Sequence, residues 1–315
     1  MIQIKNLTVE LASATKEIYI LRDISLSLSK GEILGIAGES GSGKTVLSKT
    51  LMGLIQYPLQ KTAGKIVIKD NTHSQLSELK QYRGQFFSMI FQNPTASLNP
   101  VFSIGQQLTE TLKAHNPNLD KNSAIAEALK LLKEVEIDHP EDRMNSYPHH
   151  LSGGMNQRIM IALALATNPE VIIADEPTTA LDVTIQAQVI DLLLKLNKEK
   201  DISIIFISHD LSLLESVCNN IIILYAGEIM EKIHSQNLKT EKIKHPYTFA
   251  LKSCIPGIND SKDFLYSIPG TIKLNTENDN NSCIFSDRCR YATQICKQVK
   301  PALNSHCNYR CHHPL

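Results

Sequence analysis

The chain carries no surplus of either charge: among its 315 residues, Lys and Arg number 32 and Asp and Glu number 32. No global field points to nucleic acid, although that balance leaves room for a local patch. No secretory signal is expected, because Met1 to Glu10 has no basic stretch leading into an apolar one. No apolar run approaches the roughly 20 residues that a membrane-spanning helix needs. The expectation is a soluble protein whose membrane role would come through a partner. Repeats are missing, and Asn275 to Ser282 is the one low-complexity patch. Cysteine is sparse until the end, where five of the seven fall between Cys283 and Cys311. Without an export signal, such clustering suggests metal or cluster ligation more than disulfides. The hydrophobic share, 42%, suffices for one large domain and a smaller one.

What is present begins with Gly38-Glu39-Ser40-Gly41-Ser42-Gly43-Lys44-Thr45, which fits G-x-x-x-x-G-K-[ST]. The apolar run Ile33 to Ala37 before it reads as a buried strand, and Val46 to Leu54 after it as a helix. Glycines at 38, 41 and 43 let the backbone curl and turn its N–H groups inward around phosphate oxygens. The helix adds its positive end. Lys44 can reach the β- and γ-phosphates, and the Thr45 hydroxyl can ligate Mg²⁺. A bare glycine-rich turn is the alternative, and the flanking strand and helix argue against it.

Along the chain, Ile24, Leu26 and Leu28 alternate with serines as in a half-exposed strand. Gly64 to Asp70 and Phe86 to Phe91 read as further strands, and Ile104 to about Val135 as helical. Val171 to Ala174 is a buried strand ending in Asp175-Glu176; Ala180-Leu181-Asp182 is a turn before a helix from Thr184. Ile202 to Ser208 is another strand, ending at His209. Ile221 to Tyr225 and Glu228 to Ile233 form a hairpin across Ala226-Gly227. Ser235 to Lys244 reads as a polar linker, and His245-Pro246-Tyr247 precedes a short helix.

Asp175 can hold Mg²⁺. Glu176, turned elsewhere by the strand's alternation, can orient a water and accept its proton. Gln92 offers donor and acceptor to metal and water, and His209 can bond the γ-phosphate. Singly each has an ordinary reading: a loop residue, a helix cap, a solvated turn. Ser152-Gly153-Gly154 opens a second helix with an anion-binding end. One phosphate loop does not need two, so this one is read as capping a nucleotide held by another subunit.

The set GESGSGKT, Gln92, LSGGMNQR, VIIADEPTTALD and His209 resembles the ATP-binding cassette ATPases, over about residues 1–235. FQNPTASLNP, YPHHLSGGM, DEPTTALDVTIQAQ and HPYT resemble the ATPase subunits of bacterial dipeptide/oligopeptide importers. The resemblance implies an α/β fold of the P-loop NTPase type. Its RecA-like core would carry an antiparallel β subdomain and a helical subdomain inserted at about 95–155. Residues 236–315 would be a linker and a small loop-rich extension. Implied too are head-to-tail pairing with a second, related cassette and two sandwiched ATPs. The trans contacts would be Ser152, Gly153, Gly154 and Gln157, with Asp182 in the D-loop. Thr45, Gln92 and Asp175 would hold Mg²⁺. Gln92 and the helical subdomain would grip permease subunits at the cytoplasmic face of the membrane, served by an extracytoplasmic binding protein, with no nucleic acid. Cys283, Cys289, Cys296 and Cys311 match a possible [4Fe–4S] set, with zinc as alternative and Cys307 as a rival fourth ligand. Cys218 and Cys254 read as core or surface thiols, and His312 and His313 as a frayed end. The adenine-stacking aromatic of the family falls on Leu11, and Tyr19 looks out of register. Nickel or metal-chelate import, a ribosome- or DNA-acting cassette and a non-catalytic nucleotide sensor stay as rivals.

Overall fold

Period-two burial is realised where the sequence shows it: Ile24, Leu26 and Leu28 are buried and Ser27 is exposed along one strand. The computed structural model describes residues 1–13, 17–179, 181–240, 242–255, 266–273, 275–276, 281–303 and 308–315. Ala180, Cys307 and residues 277–280 of the low-complexity patch, all named above, lie outside the described residues. The chain falls into two compact units, Met1–Lys80 with Phe206–Leu315, and Gln81–Ile205. The division differs from the expected one: the tail groups with the N-terminal residues, and the second unit holds strands as well as helices.

The first pass through unit one lays down β1 (Ile2–Leu11), β2 (Ile18–Leu28), β3 (Ile33–Ala37), α1 (Lys44–Leu51), β4 (Leu59–Ile68) and β5 (Asn71–His73). β1 pairs antiparallel with β2 on one side, Ile4 opposite Leu26, and with β4 on the other, Gln3 opposite Val67. β4 begins five residues before the expected strand and stops at Ile68, where Lys69 and Asp70 take positive φ of 47 and 70° and turn the chain. α1 starts at Lys44, earlier than expected, because the loop's last glycine is already its cap. Every residue of β3 is buried, as a strand sheltered on both faces requires.

Unit two carries β6 (Phe87–Ile90), α2 (Pro94–Ser97), α3 (Ile104–His115), α4 (Lys121–Glu134), α5 (Pro140–Arg143), α6 (Gly153–Leu165), β7 (Val171–Asp175) and α7 (Val183–Lys200), then most of β8 (Ser203–Ile207). The expected helical stretch is two helices. Asn116-Pro117 interrupts it, and Asp120 starts the second by accepting from the N–H groups of Asn122 and Ser123 at 2.8 and 3.1 Å. β6 and β7 run parallel, Phe87 opposite Val171, so both deliver their C-terminal ends to the same edge.

The chain then returns through α8 (Leu211–Val217), β9 (Asn220–Tyr225), β10 (Glu228–His234), α9 (Ser235–Lys239), α10 (Pro246–Ser253), β11 (Asn275–Thr276) and α11 (Gln294–Gln298). β9 is parallel to β3, and β10 folds back on β9. The hairpin turns at Ala226 and Gly227 with φ of 45 and 80°, the two positive values that a tight two-residue loop demands. The expected linker instead starts as helix α9, which buries Ser235 and Leu238. Late residues are tied inward. β11 adds to β2, and Glu228, 1% exposed, takes Lys300 at 2.5 Å and Arg310 at 3.6 Å. No helix among the described residues is long and apolar enough to cross a membrane.

Candidate active site

In unit one the phosphate loop joins β3 to α1. Gly43 sits at φ 104°, where a Cβ would meet the Ile20 carbonyl oxygen at 2.9 Å, and a Cβ on Gly38 would lie 2.2 Å from the Leu224 carbonyl oxygen. Both positions exclude any side chain. Lys44, 6% exposed, curls back so that Nζ donates to the Gly38 and Glu39 carbonyls at 2.8 and 3.0 Å. Ser40, Gly41 and Thr45 are exposed. Beside Ser40 and Gly41 lies a cavity of about 280 Å³ that Tyr19 also lines. The strand register explains how: Leu11 pairs with Ile18, while Tyr19 pairs with Glu10 and stands at the loop. Its hydroxyl donates to the Glu17 carboxylate, which with burial pushes its pKa up to about 12, and the Arg22 guanidinium lies 4.6 Å from its ring centroid. His209 follows β8 and is exposed. Capping of α8 falls to Asp210, which accepts from the N–H groups of Ser212 and Leu213 at 2.9 and 3.2 Å.

In unit two, Asp175 ends β7 at 4% exposure. Glu176 follows with φ 48°, in the left-handed region that residues other than glycine enter uncommonly. Its Oε2 accepts from Gln92 Nε2 at 2.7 Å and from the Thr179 hydroxyl at 3.0 Å. Gln92 and Glu176 are thus brought together across 84 residues of sequence. Thr179 stands in the sequence within the DEPTTALD stretch, with no role of its own legible there.

Ser152 caps α6, its hydroxyl accepting from the Met155 N–H at 3.3 Å, and it is exposed together with Gly153. A Cβ on Gly154 would meet Ile185 Cγ2 at 2.6 Å, so this glycine is also required by the approach of α7. Gln157 is 1% exposed and does not share the open face of Ser152. Asp182 caps α7, accepting from the Ile185 N–H at 2.9 Å.

Back in unit one, the tail gathers its cysteines. Cys283, Cys289, Cys296 and Cys311 line one small cavity of about 10 Å³, with His312 and His313 at its edge. Burial pushes the Cys283 thiol up to about 12 and raises Cys289 and Cys311, and neighbouring cysteines add to each shift. Four soft donors lining one cavity suit a thiolate-ligated group in kind. Among the described residues, however, no three His, Cys, Asp or Glu side chains are arranged to hold a metal ion. The two histidines are not a frayed end: His313 Nε2 bonds the Thr293 hydroxyl at 2.8 Å and His312 Nε2 the Val299 carbonyl at 2.8 Å. Cys218 is a core thiol, raised by burial.

A family model described as ABC transporter matches residues 21–179, which takes in the phosphate loop, Gln92, the Ser152 turn and Glu176. The chain belongs to the ABC transporter family. A second model, oligopeptide/dipeptide transporter C-terminal region, matches residues 230–296 of this ABC ATPase. The dipeptide transport ATP-binding protein DppD of Escherichia coli is 40% identical over 100% of this chain and 97% of its own length. DppD of Haemophilus influenzae is 43% identical over 100% and 96%. Among solved structures, the ATP-binding cassette MJ0796, dimeric in a post-hydrolysis state with ADP and Pi, aligns with a TM-score of 0.65. It is 29% identical to the ABC ATPase described here, over 75% of this chain and 99% of that one. The fold is accordingly the P-loop cassette, and ATP is its nucleotide.

Proposed function

We propose that this ABC ATPase powers an importer of dipeptides or oligopeptides, acting as one of a pair of cassettes. The matched C-terminal region and the peptide-transport relatives support the cargo class. In this reading the backbone N–H groups of residues 38–45 and the Lys44 ammonium hold the phosphates. Thr45, Asp175 and Gln92 offer the oxygen donors that Mg²⁺ takes, and the bound ion supplies charge neutralisation at the β- and γ-phosphates. Glu176 orients the attacking water and accepts its proton, and His209 bonds the γ-phosphate. Ser152, Gly153 and Gly154 serve the ATP of a second, related cassette; the buried Gln157 supports the helix from within. The 280 Å³ cavity at Tyr19 receives the nucleoside. Gln92 and the helical residues of about 95–155 engage permease subunits, which keeps the protein peripheral at the cytoplasmic face, served indirectly by an extracytoplasmic capture protein. The observation that carries the reading is Glu176, its carboxylate held by Gln92 and Thr179 just past the end of a buried strand.

In the assembled transporter, Glu176→Gln should keep ATP binding while phosphate release falls about 10²-fold or more, the scale of a lost general base. Near-normal release in that variant would refute the assignment. The four tail thiols supply the donor set of a [4Fe–4S] cluster, which would staple a segment poor in apolar residues; zinc is the other group such thiols hold. Iron and sulfide in anaerobically purified protein are the expected result, and stoichiometric zinc without iron would replace the cluster.

A further inference from the structure

Glu39 is the one acidic residue in the phosphate loop, and it is held at its N–H, its carbonyl and its carboxylate. Its carbonyl takes the Lys44 ammonium at 3.0 Å. Its N–H donates to the hydroxyl of Tyr247 at 3.0 Å. Its carboxylate receives both terminal nitrogens of Arg288, at 2.8 and 3.2 Å. The Ser42 N–H also donates to the Glu39 carbonyl at 3.2 Å. Two of these holders, Tyr247 and Arg288, come from beyond residue 240, one of them 249 residues away in sequence.

Neither holder is a casual surface contact. Tyr247 is 0% exposed, and its ring lies 4.8 Å from that of Tyr225 and 5.1 Å from that of Phe285. The Arg288 side chain is 7% exposed and reaches from the tail to the loop. Its Nε donates to the Pro269 carbonyl at 2.7 Å, and one terminal nitrogen reaches the Ile268 carbonyl at 3.4 Å. These residues lead directly into Thr271 to Lys273, which line the cavity beside Ser40 and Gly41. The Arg288 N–H closes a turn on the Phe285 carbonyl at 3.1 Å, and the next residue is Cys289.

The electrostatic need for this cation is direct. A loop that binds polyphosphate gains nothing from a bare carboxylate, because like charges a few ångströms apart repel strongly where water is scarce. A planar guanidinium answers a carboxylate with two parallel bonds and fixes its direction as well as its charge. We infer that Arg288 is a positioning residue of the nucleotide site: it neutralises and aims Glu39, and so makes ATP binding and the folded cysteine-bearing tail stabilise each other. The coupling is reciprocal by linkage, so whatever loosens the tail weakens ATP, and ATP protects the tail. This rests on the phosphate loop being the ATP site proposed above.

The test is equilibrium ATP binding by the full chain, with alkylation of the tail thiols followed in parallel. Arg288→Ala should weaken ATP about tenfold, within the range usual for coupled sites. Arg288→Lys, which keeps the charge but not the fork, should fall between that variant and the parent. Adding Glu39→Gln to Arg288→Ala should recover most of the loss, because the carboxylate left without its partner is then gone. Saturating ATP should slow alkylation of the tail cysteines in the parent and fail to do so in Arg288→Ala. Unchanged affinity in Arg288→Ala, or a loss that Glu39→Gln does not relieve, overturns the inference, since mere damage to the tail would not respond to the second substitution. A parent chain that binds no ATP would overturn the site reading itself, a result distinct from either.

Discussion

Two helices of this protein open on glycine- and serine-bearing turns, and they do so in opposite ways. α1 is capped by Gly43, left-handed and without a side chain, so its first-turn N–H groups receive no side-chain acceptor from the cap. α6 is capped by Ser152, whose hydroxyl takes the Met155 N–H at 3.3 Å. Gly43 sits where a Cβ would strike backbone, whereas Ser152 has an extended conformation, φ −68° and ψ 160°, open to any residue. The first end gets no side-chain acceptor from its own cap, which is the form an anion-binding helix end takes. The second is satisfied by the chain itself and presents an exposed serine and glycine to the outside. That asymmetry is what a shared site predicts: one end grips ATP, and the other is lent to a neighbouring molecule.

The strongest way to break the comparison is at Lys44. Its ammonium is buried and committed to the loop, bonded to the Gly38 and Glu39 carbonyls. Hydrogen bonds from a charged donor are worth about 1.5–3 kcal/mol each. Losing the charge-assisted bonds that this ammonium would make to the phosphates in Lys44→Ala should lower the affinity of the isolated chain for ATP by about 10²-fold or more. Binding by isothermal titration would measure it. A variant that still held ATP as well as the parent would mean that the loop does not grip the phosphates at all.

The loop end was legible because its requirements are local. Eight consecutive residues fix both the backbone path and the donors, and a strand and helix flank them. The Ser152 turn was legible in part. Its serine cap could be read from the sequence, but the need for glycine at 154 comes from Ile185 on α7, a contact no local pattern announces. Gln157, which the resemblance implies as a trans contact, lies five residues past the cap on the buried side. Tyr19 reads as out of register in the sequence, because the irregular pairing of β1 with β2 that brings it to the loop cannot be read from alternation. Arg288 and Tyr247 were invisible as site residues, since their partner Glu39 lies more than 200 residues earlier. The cysteines were countable from the sequence, but their convergence on one cavity depends on the fold of a loop-rich segment.

The finer way to sharpen the comparison is at Ser152, where a cap and a contact can be told apart. A hydroxyl can accept from the Met155 N–H and still donate to an oxygen beyond it. Ser152→Ala removes both capacities. Loss of the cap should cost about 1 kcal/mol, lowering the melting temperature by about 2–4 °C, and ATP hydrolysis by the assembled transporter should fall as well. Ser152→Asp separates the two. Its carboxylate caps the helix as well as serine does and is favoured by the helix dipole, so the melting temperature should stay within about 1 °C of the parent. It cannot donate, however, and it sets a negative charge where a neighbour's phosphate would arrive. Stability should therefore be retained while hydrolysis is lost. If aspartate restored turnover along with the melting temperature, Ser152 would be a helix cap and nothing more, and the two helix ends would no longer belong to one shared site.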